Sequence, residues 1–263
     1  MKTSPAAKDR KTPRKRAGLT NELTRASLDR NAILRHVNGD EAARVLKAGE
    51  LLEMPTRYGI YRADETIRDV YFPIDCVLSV VTQMRDGGAI EVGTIGREGT
   101  SGIPLLMDGT TTANDSYCQV PGRAIKLPAE DFHHLRTGDK QFSTLLNRYL
   151  QAYVNFLGQL TGCNRLHSVY ERCARWLLLT HDRVGRDEIL LTHEYLAMML
   201  GSRRSGVTMA LAALQRAGYI RYAHGCITIQ DRPGLEETTC ECYAVARDQF
   251  SGFLRAGDTK AAY

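Results

Sequence analysis

The period of apolar and polar positions changes repeatedly along this 263-residue chain. Residues 20–47 set Leu28, Ile33, Leu34, Val37, Val45 and Leu46 at near-helical spacing, which predicts short helices. From about Gly49 to Pro128 that period disappears. Short β-rich runs alternate there with Gly, Pro and Asp: Tyr58–Tyr61, Val70–Phe72, Cys76–Met84, Ala89–Ile95, Ser116–Val120 and Arg123–Leu127. The Arg-Asp-Gly-Gly between two of these runs (85–88) predicts a hairpin, because Asp-Gly supplies the positive φ that twisted strands need at a tight turn. Many short strands separated by turns predict a β-barrel or double-sheet jelly roll.

After Pro128 the helical period returns. Ala129–Leu135 reads as a short helix and Lys140 to about Thr161 as a long one. In the long helix Phe142, Leu146, Tyr149, Tyr153, Phe156 and Leu160 follow one another at intervals of 4, 3, 4, 3 and 4, a heptad seam expected to meet a second copy of the chain. Leu145, Leu150, Val154 and Leu157 form another apolar side, leaving one side for the chain's own barrel and one for a partner. The polar stretch Gly162–Ser168 reads as a hinge. A helix follows over Val169–Val184, with Cys173, Trp176, Leu177 and Thr180 on one side.

The most specific pattern starts at Leu191. Thr192 is a good helix N-cap, and Glu194 places a negative charge in the first turn, where the helix dipole favours it. Ala197 is small where two helices must approach. Gly201 follows four residues later at the turn, and Val207, Leu211 and Leu214 supply the buried side of a second helix. Those offsets are those of a helix-turn-helix. Ala217-Gly218 ends the second helix. Tyr219–Tyr222, a turn at His224-Gly225 and Cys226–Ile229 then form a wing. The second helix, Arg203 to Ala217, is the expected DNA-recognition helix. Arg203, Arg204, Ser205, Thr208 and Met209 face outward on it, with Arg204 placed to read a base through paired bonds to guanine. Arg203, Ser202 and Thr192 are expected on the phosphate backbone.

Composition changes this picture little. Hydrophobic residues at 43% and charged residues at 25% are those of a soluble globular protein, and no apolar run is long enough to cross a membrane. With no apolar run after the N-terminal basic residues to mark a secretory signal, the expected location is the cytoplasm. The net charge of +5 is uneven: residues 1–18 carry +6, so the rest is near −1. Residues 1–19 therefore read as a disordered basic tail able to touch DNA phosphates, or merely to aid solubility. The seven cysteines are scattered without a Cys-x-x-Cys pair, which reads as reduced thiols rather than a disulfide framework or a zinc site. Cys240-Glu-Cys242 could sense oxidation or bind a metal, but on the helix expected over Leu235–Leu254 Cys242 joins Thr239, Ala246, Phe250 and Phe253 on one side, which favours a core thiol. His133 and His134 are adjacent and point apart, so no metal is expected there either.

β-roll, long helix, hinge and winged helix, in that order, resemble the Crp/Fnr (catabolite activator) family of bacterial transcription regulators. The likeness is strongest over Leu191–Ile229, where Leu-Thr-x-x-x-Leu-Ala-x-x-Leu-Gly-x-Arg-Arg matches the family's pattern. The resemblance implies an α+β protein: an N-terminal double-stranded β-helix of cyclic-nucleotide-binding type, a dimerisation helix and a C-terminal winged helix-turn-helix. It also implies a homodimer on palindromic double-stranded DNA, a signal acting at the β-roll, and RNA polymerase as a further partner. The expected divisions are 1–19 tail, 20–138 β-roll, 139–163 dimerisation helix, 164–232 winged helix-turn-helix and 233–263 helical extension.

Two departures stand out. On the recognition helix the family's Arg-Glu and later Arg fall at Arg204, Ser205 and Met209, so only the first is kept. At the effector site, family members that bind cyclic nucleotides carry a Glu after the Gly and an Arg for the phosphate. Here the loop reads Gly96, Arg97, Glu98, Gly99, Thr100, Ser101, Gly102, with no Arg after Glu98 until Arg123. A buried phosphate without its cation is costly, which weighs against cyclic AMP or cyclic GMP, and no other cofactor is indicated. The loop's glycine N–H groups remain candidates for another anion. The competing function is a cyclic-nucleotide or small-molecule sensor acting through protein contacts. A metal enzyme on the roll is disfavoured, because residues 49–128 contain no histidine.

Overall fold

β-branched and aromatic residues close the N-terminal half into two antiparallel sheets. The computed structural model describes residues 22–255, so the basic tail lies outside the described residues. Helices α1 (Arg25–Leu28) and α2 (Gly39–Ala48) lead into seven strands. These are β1 (Glu50–Met54), β2 (Gly59–Tyr61), β3 (Asp69–Pro73), β4 (Val77–Gln83), β5 (Ala89–Ile95), β6 (Asp115–Val120) and β7 (Gly122–Pro128). The short helix α3 (Ile103–Leu106) lies between β5 and β6. One sheet runs β1-β7-β3 and the other β2-β6-β4-β5. Val70, Phe72, Leu78, Ile95, Cys118 and Ile125 from both sheets are buried in one core. The hairpin at 85–88 forms as expected, with Gly87 at φ +88° and Val81 paired with Glu91 across β4 and β5. β1 was not expected. Its Glu-Leu-Leu-Glu-Met carries no β-branched residue, and pairing with β7 decides its conformation.

α4 (Ala129–Gly138) and the 27-residue α5 (Lys140–Leu166) follow. The expected hinge at 162–168 is corrected: α5 runs through Gly162 to Leu166, and only His167 and Ser168 separate it from α6 (Val169–Val184). A glycine in a helix costs only about 1 kcal/mol, and the buried Cys163 beyond Gly162 anchors the last turn. Ser168 and Glu171 then start α6 with reciprocal bonds: the Ser168 N–H donates to Glu171 Oε2 at 2.8 Å and the Glu171 N–H to Ser168 Oγ at 3.3 Å.

The heptad seam is also corrected. Phe142, Leu146, Tyr149, Tyr153 and Phe156 are at most 4% exposed within the single chain, so they cannot face a partner. They turn inward onto the roll and onto the C-terminal helix α10 (Cys242–Arg255), where Phe253 meets Tyr149 at 5.7 Å and Phe250 meets Phe156 at 5.2 Å between ring centres. Gly93 and Gly99 make the approach possible: a Cβ on either would overlap Tyr153 or Tyr149. Leu160 is half-buried. The other apolar side stays more open, with Leu150 and Leu157 half-buried and Val154 55% exposed.

The C-terminal unit comprises α6, β8 (Glu188–Leu190), α7 (His193–Met199), α8 (Arg204–Arg216), the hairpin β9 (Ile220–Ala223) and β10 (Cys226–Ile229), and α9 (Arg232–Thr238). β8 adds an unforeseen third strand to the wing, giving the order β8-β10-β9. The single helix expected over 235–254 is two, because the chain bends at Thr239–Glu241 and leaves Cys240 outside both.

Candidate nucleic-acid interface

α7 starts where Thr192 caps it, its Oγ1 accepting the Tyr195 N–H at 3.2 Å. It ends at Leu200, and Gly201 turns the chain at φ +55°, a conformation cheap only for a residue without Cβ. A side chain on Gly201 would also strike Ile90 of β5. Val207, Leu211 and Leu214 fix the orientation of α8 by burying one face at 2% exposure or less. The opposite face is free. Arg203, Arg204, Ser205 and Thr208 are exposed, Met209 is 68% exposed and Ser202 half-exposed. Arg203 is the helix N-cap residue, so both guanidiniums emerge at the N-terminal end of α8. Thr192 is exposed at the start of α7, so six of the seven expected DNA contacts are exposed and Ser202 is half-exposed.

One member of this surface was missed. His193 Nδ1 lies 3.0 Å from Thr208 Oγ1, tying the two helices together, while its ring stacks 4.3 Å from Tyr222 of the wing. Burial, and secondarily Arg204, lowers its pKa. The sequence offered no signal for it beyond a histidine after the cap.

The loop 96–102 is a different surface. Read from the sequence as a tight turn or, less readily, as an anion cradle, it has four of its N–H groups engaged within the protein. The Gly96 N–H donates to Glu98 Oε1 (3.0 Å), that of Gly99 to the Gly96 carbonyl (3.0 Å), that of Thr100 to the Tyr149 hydroxyl (3.2 Å) and that of Ser101 to the Tyr71 carbonyl (2.9 Å). Gly102 is buried against Val70 and Phe132, whereas Arg97 is exposed. The cation missing from the local sequence arrives from α6: Arg183 pairs with Glu98 at 2.7 Å, with both side chains largely buried.

The roll and the helix-turn-helix are in direct contact around Glu91 of β5. Its Oε2 accepts from Ser79 Oγ and from Gln119 Nε2, each at 2.7 Å, and the Trp176 indole approaches without closing a bond of good geometry. Desolvation pushes the Glu91 carboxyl up to about 7. Beside it Ser79 meets Met199 of α7 at 3.6 Å, and the Tyr117 and Tyr195 rings lie 6.4 Å apart.

Comparison with known proteins agrees with this geometry. Residues 171–238, from α6 to the end of α9, match the Crp-like helix-turn-helix domain. That segment is therefore a Crp-like helix-turn-helix domain. The transcriptional regulator SdrP of Thermus thermophilus is 41% identical over 59 residues, a match spanning 22% of this chain and 29% of that protein. A CRP-family transcriptional regulator of the same organism superposes with a TM-score of 0.59 over 71% of this chain and 95% of its own, at 22% identity. FixK2 of Bradyrhizobium japonicum does so with 0.62 over 73% and 98%, at 16% identity. These likenesses extend the fold beyond the helix-turn-helix to the roll and long helix.

Proposed function

We propose that this chain is a Crp/Fnr-family regulator, a sequence-specific DNA-binding protein that acts as a homodimer on two-fold-symmetric sites. The free face of α8 carries the proposal: four exposed polar residues and Met209 stand on a helix whose other face is fully buried. Arg204 reads base edges, and Arg203, Ser202 and Thr192 grip phosphate. The partner chain docks on the open side of α5, at Leu150, Val154 and Leu157. An exposed Val154 between two half-buried leucines supports that choice. The signal enters at the roll and reaches the reading head through the Glu91 contact, where β5 meets α7. The site of action is the bacterial cytoplasm, with RNA polymerase as a second partner.

Selection from a random duplex pool with purified protein tests this reading. Enrichment of a palindrome with half-sites about one helical turn apart is expected. Enrichment of an asymmetric site, or of none with the purified protein or with protein given cell extract as a source of effector, would contradict it. Val154→Arg should shift the dimer toward monomer in sedimentation and weaken binding to the palindrome. An unchanged sedimentation profile would move the interface elsewhere.

A further inference from the structure

Four side chains with metal-ligating atoms converge where the helix-turn-helix domain joins the rest of the molecule. Cys163 and His167 come from the last turn and the end of α5, Cys240 from the bend between α9 and α10, and Cys242 from the first position of α10. Their donor atoms all lie within 4.8 Å of one another. Cys163 Sγ is 3.6 Å from Cys240 Sγ, and Cys242 Sγ is 3.5 Å from His167 Nδ1. A tetrahedral zinc with Zn–S of about 2.3 Å and Zn–N of about 2.0–2.1 Å has S···S edges of about 3.8 Å and S···N edges of about 3.6 Å. The two distances are within about 0.2 Å of these edges, and the remaining ones, all within 4.8 Å, need to close by about 1 Å at most.

The surroundings fit a metal centre better than a pocket of core thiols. His167 offers Nδ1 to the cluster while its Nε2 lies 3.1 Å from Glu241 Oε2, the carboxylate–histidine arrangement that fixes a ligand's tautomer. Gln159 Nε2 lies 3.0 Å from Cys242 Sγ, placed to donate to a thiolate. Arg172 and Arg175 are buried on α6, and neither forms an ion pair with a carboxylate among the described residues. Both act electrostatically on Cys163 or Cys240. Three thiolates and an imidazole around a divalent ion leave one net negative charge, which supplies these guanidiniums with a counter-charge. A disulfide between Cys163 and Cys240 would use two of the four groups and leave Cys242, His167 and Glu241 without a role.

We propose that Cys163, His167, Cys240 and Cys242 bind one zinc ion per chain as a closed structural site. The chain leaves the site at His167, builds α6, the helix-turn-helix, the wing and α9, and returns at Cys240. The ion therefore clips together the two strands of chain at the base of the reading head, and it holds α10 on α5. His167 is half-buried and Glu241 exposed, so the site lies just under the surface and a metal has a route in.

Full-length protein purified under reducing, chelator-free conditions should carry about one zinc per chain by elemental analysis, since a structural site holds a single ion. After metal removal, cobalt(II) titration should saturate at one equivalent with the visible and thiolate charge-transfer bands of tetrahedral thiolate coordination. Cys240→Ser and Cys242→Ser should each lose most of the zinc and weaken the charge-transfer band, while Cys226→Ser on β10 should leave both unchanged. Hydrogen exchange in α9 and α10 should rise severalfold on metal removal. The wild-type cobalt titration needs no variant to fold. A reduced protein that holds no zinc as purified and gives no cobalt–thiolate bands would overturn the proposal. So would retention of full zinc by both cysteine variants.

Discussion

Two segments of this protein present the groups that anions seek, and the fold treats them in opposite ways. At the start of α8, Arg203 and Arg204 project into solvent with no ion-pair partner among the described residues. At the 96–102 loop the Glu98 carboxylate is paired with Arg183, the Thr100 and Ser101 N–H groups donate to Tyr149 and Tyr71, and those of Gly96 and Gly99 bond within the loop. A backbone phosphate could approach the first without displacing anything. A ligand at the second would have to break an ion pair that is mostly out of water. One surface is prepared for recognition. The other is built as structure, joining the roll to α6.

The sharpest way to break this comparison is Arg183→Ala. It would strand Glu98 in a largely buried position, and losing one partner of such a pair costs about 3–5 kcal/mol. We expect a loss of that size in chemical denaturation, and a loss under 1 kcal/mol would show the pair to be well solvated. Next comes the contact between roll and reading head. The Glu91 carboxyl is raised by burial to about 7, above its unfolded value near 4.5, so the folded state holds the proton more tightly. Its contribution is most favourable below about pH 4.5, declines as pH rises through about 7, and is flat above that. Glu91→Gln should therefore gain on the wild type between about pH 5 and pH 8, by up to about 3 kcal/mol. A difference between the two that is independent of pH would mean the carboxylate stays ionised there. The smallest effect is expected from Tyr149→Phe, which removes the hydroxyl that bonds Thr100 and should cost about 1–2 kcal/mol. Greater anion affinity in that variant would show the loop to be a closed binding site rather than a structural one.

The same contrast explains what was legible in the sequence. The cap at Thr192, the turn at Gly201 and the inward stripe of Val207, Leu211 and Leu214 are local, so spacing alone placed the outward face of α8. The β4–β5 turn and the wing hairpin were legible for the same reason. Partners far along the chain left no such signal. Nothing near residue 98 announces Arg183, and the heptad in α5 could not say whether its seam meets another copy or α10 of its own chain. The β1 strand, without β-branched residues, exists because β7 pairs with it. Cys163 and Cys240 lie 77 positions apart, and only the bend after α9 brings their sulfurs together.

The most direct test of the central claim is the affinity of Arg204→Ala, beside the wild type, for the selected palindrome and for duplexes changed at each position. We expect binding to the palindrome to weaken by about 1–3 kcal/mol and the preference to relax at one base pair per half-site, with the melting temperature unchanged. Unchanged affinity with unchanged preference at every position would mean that the exposed face of α8 does not read DNA.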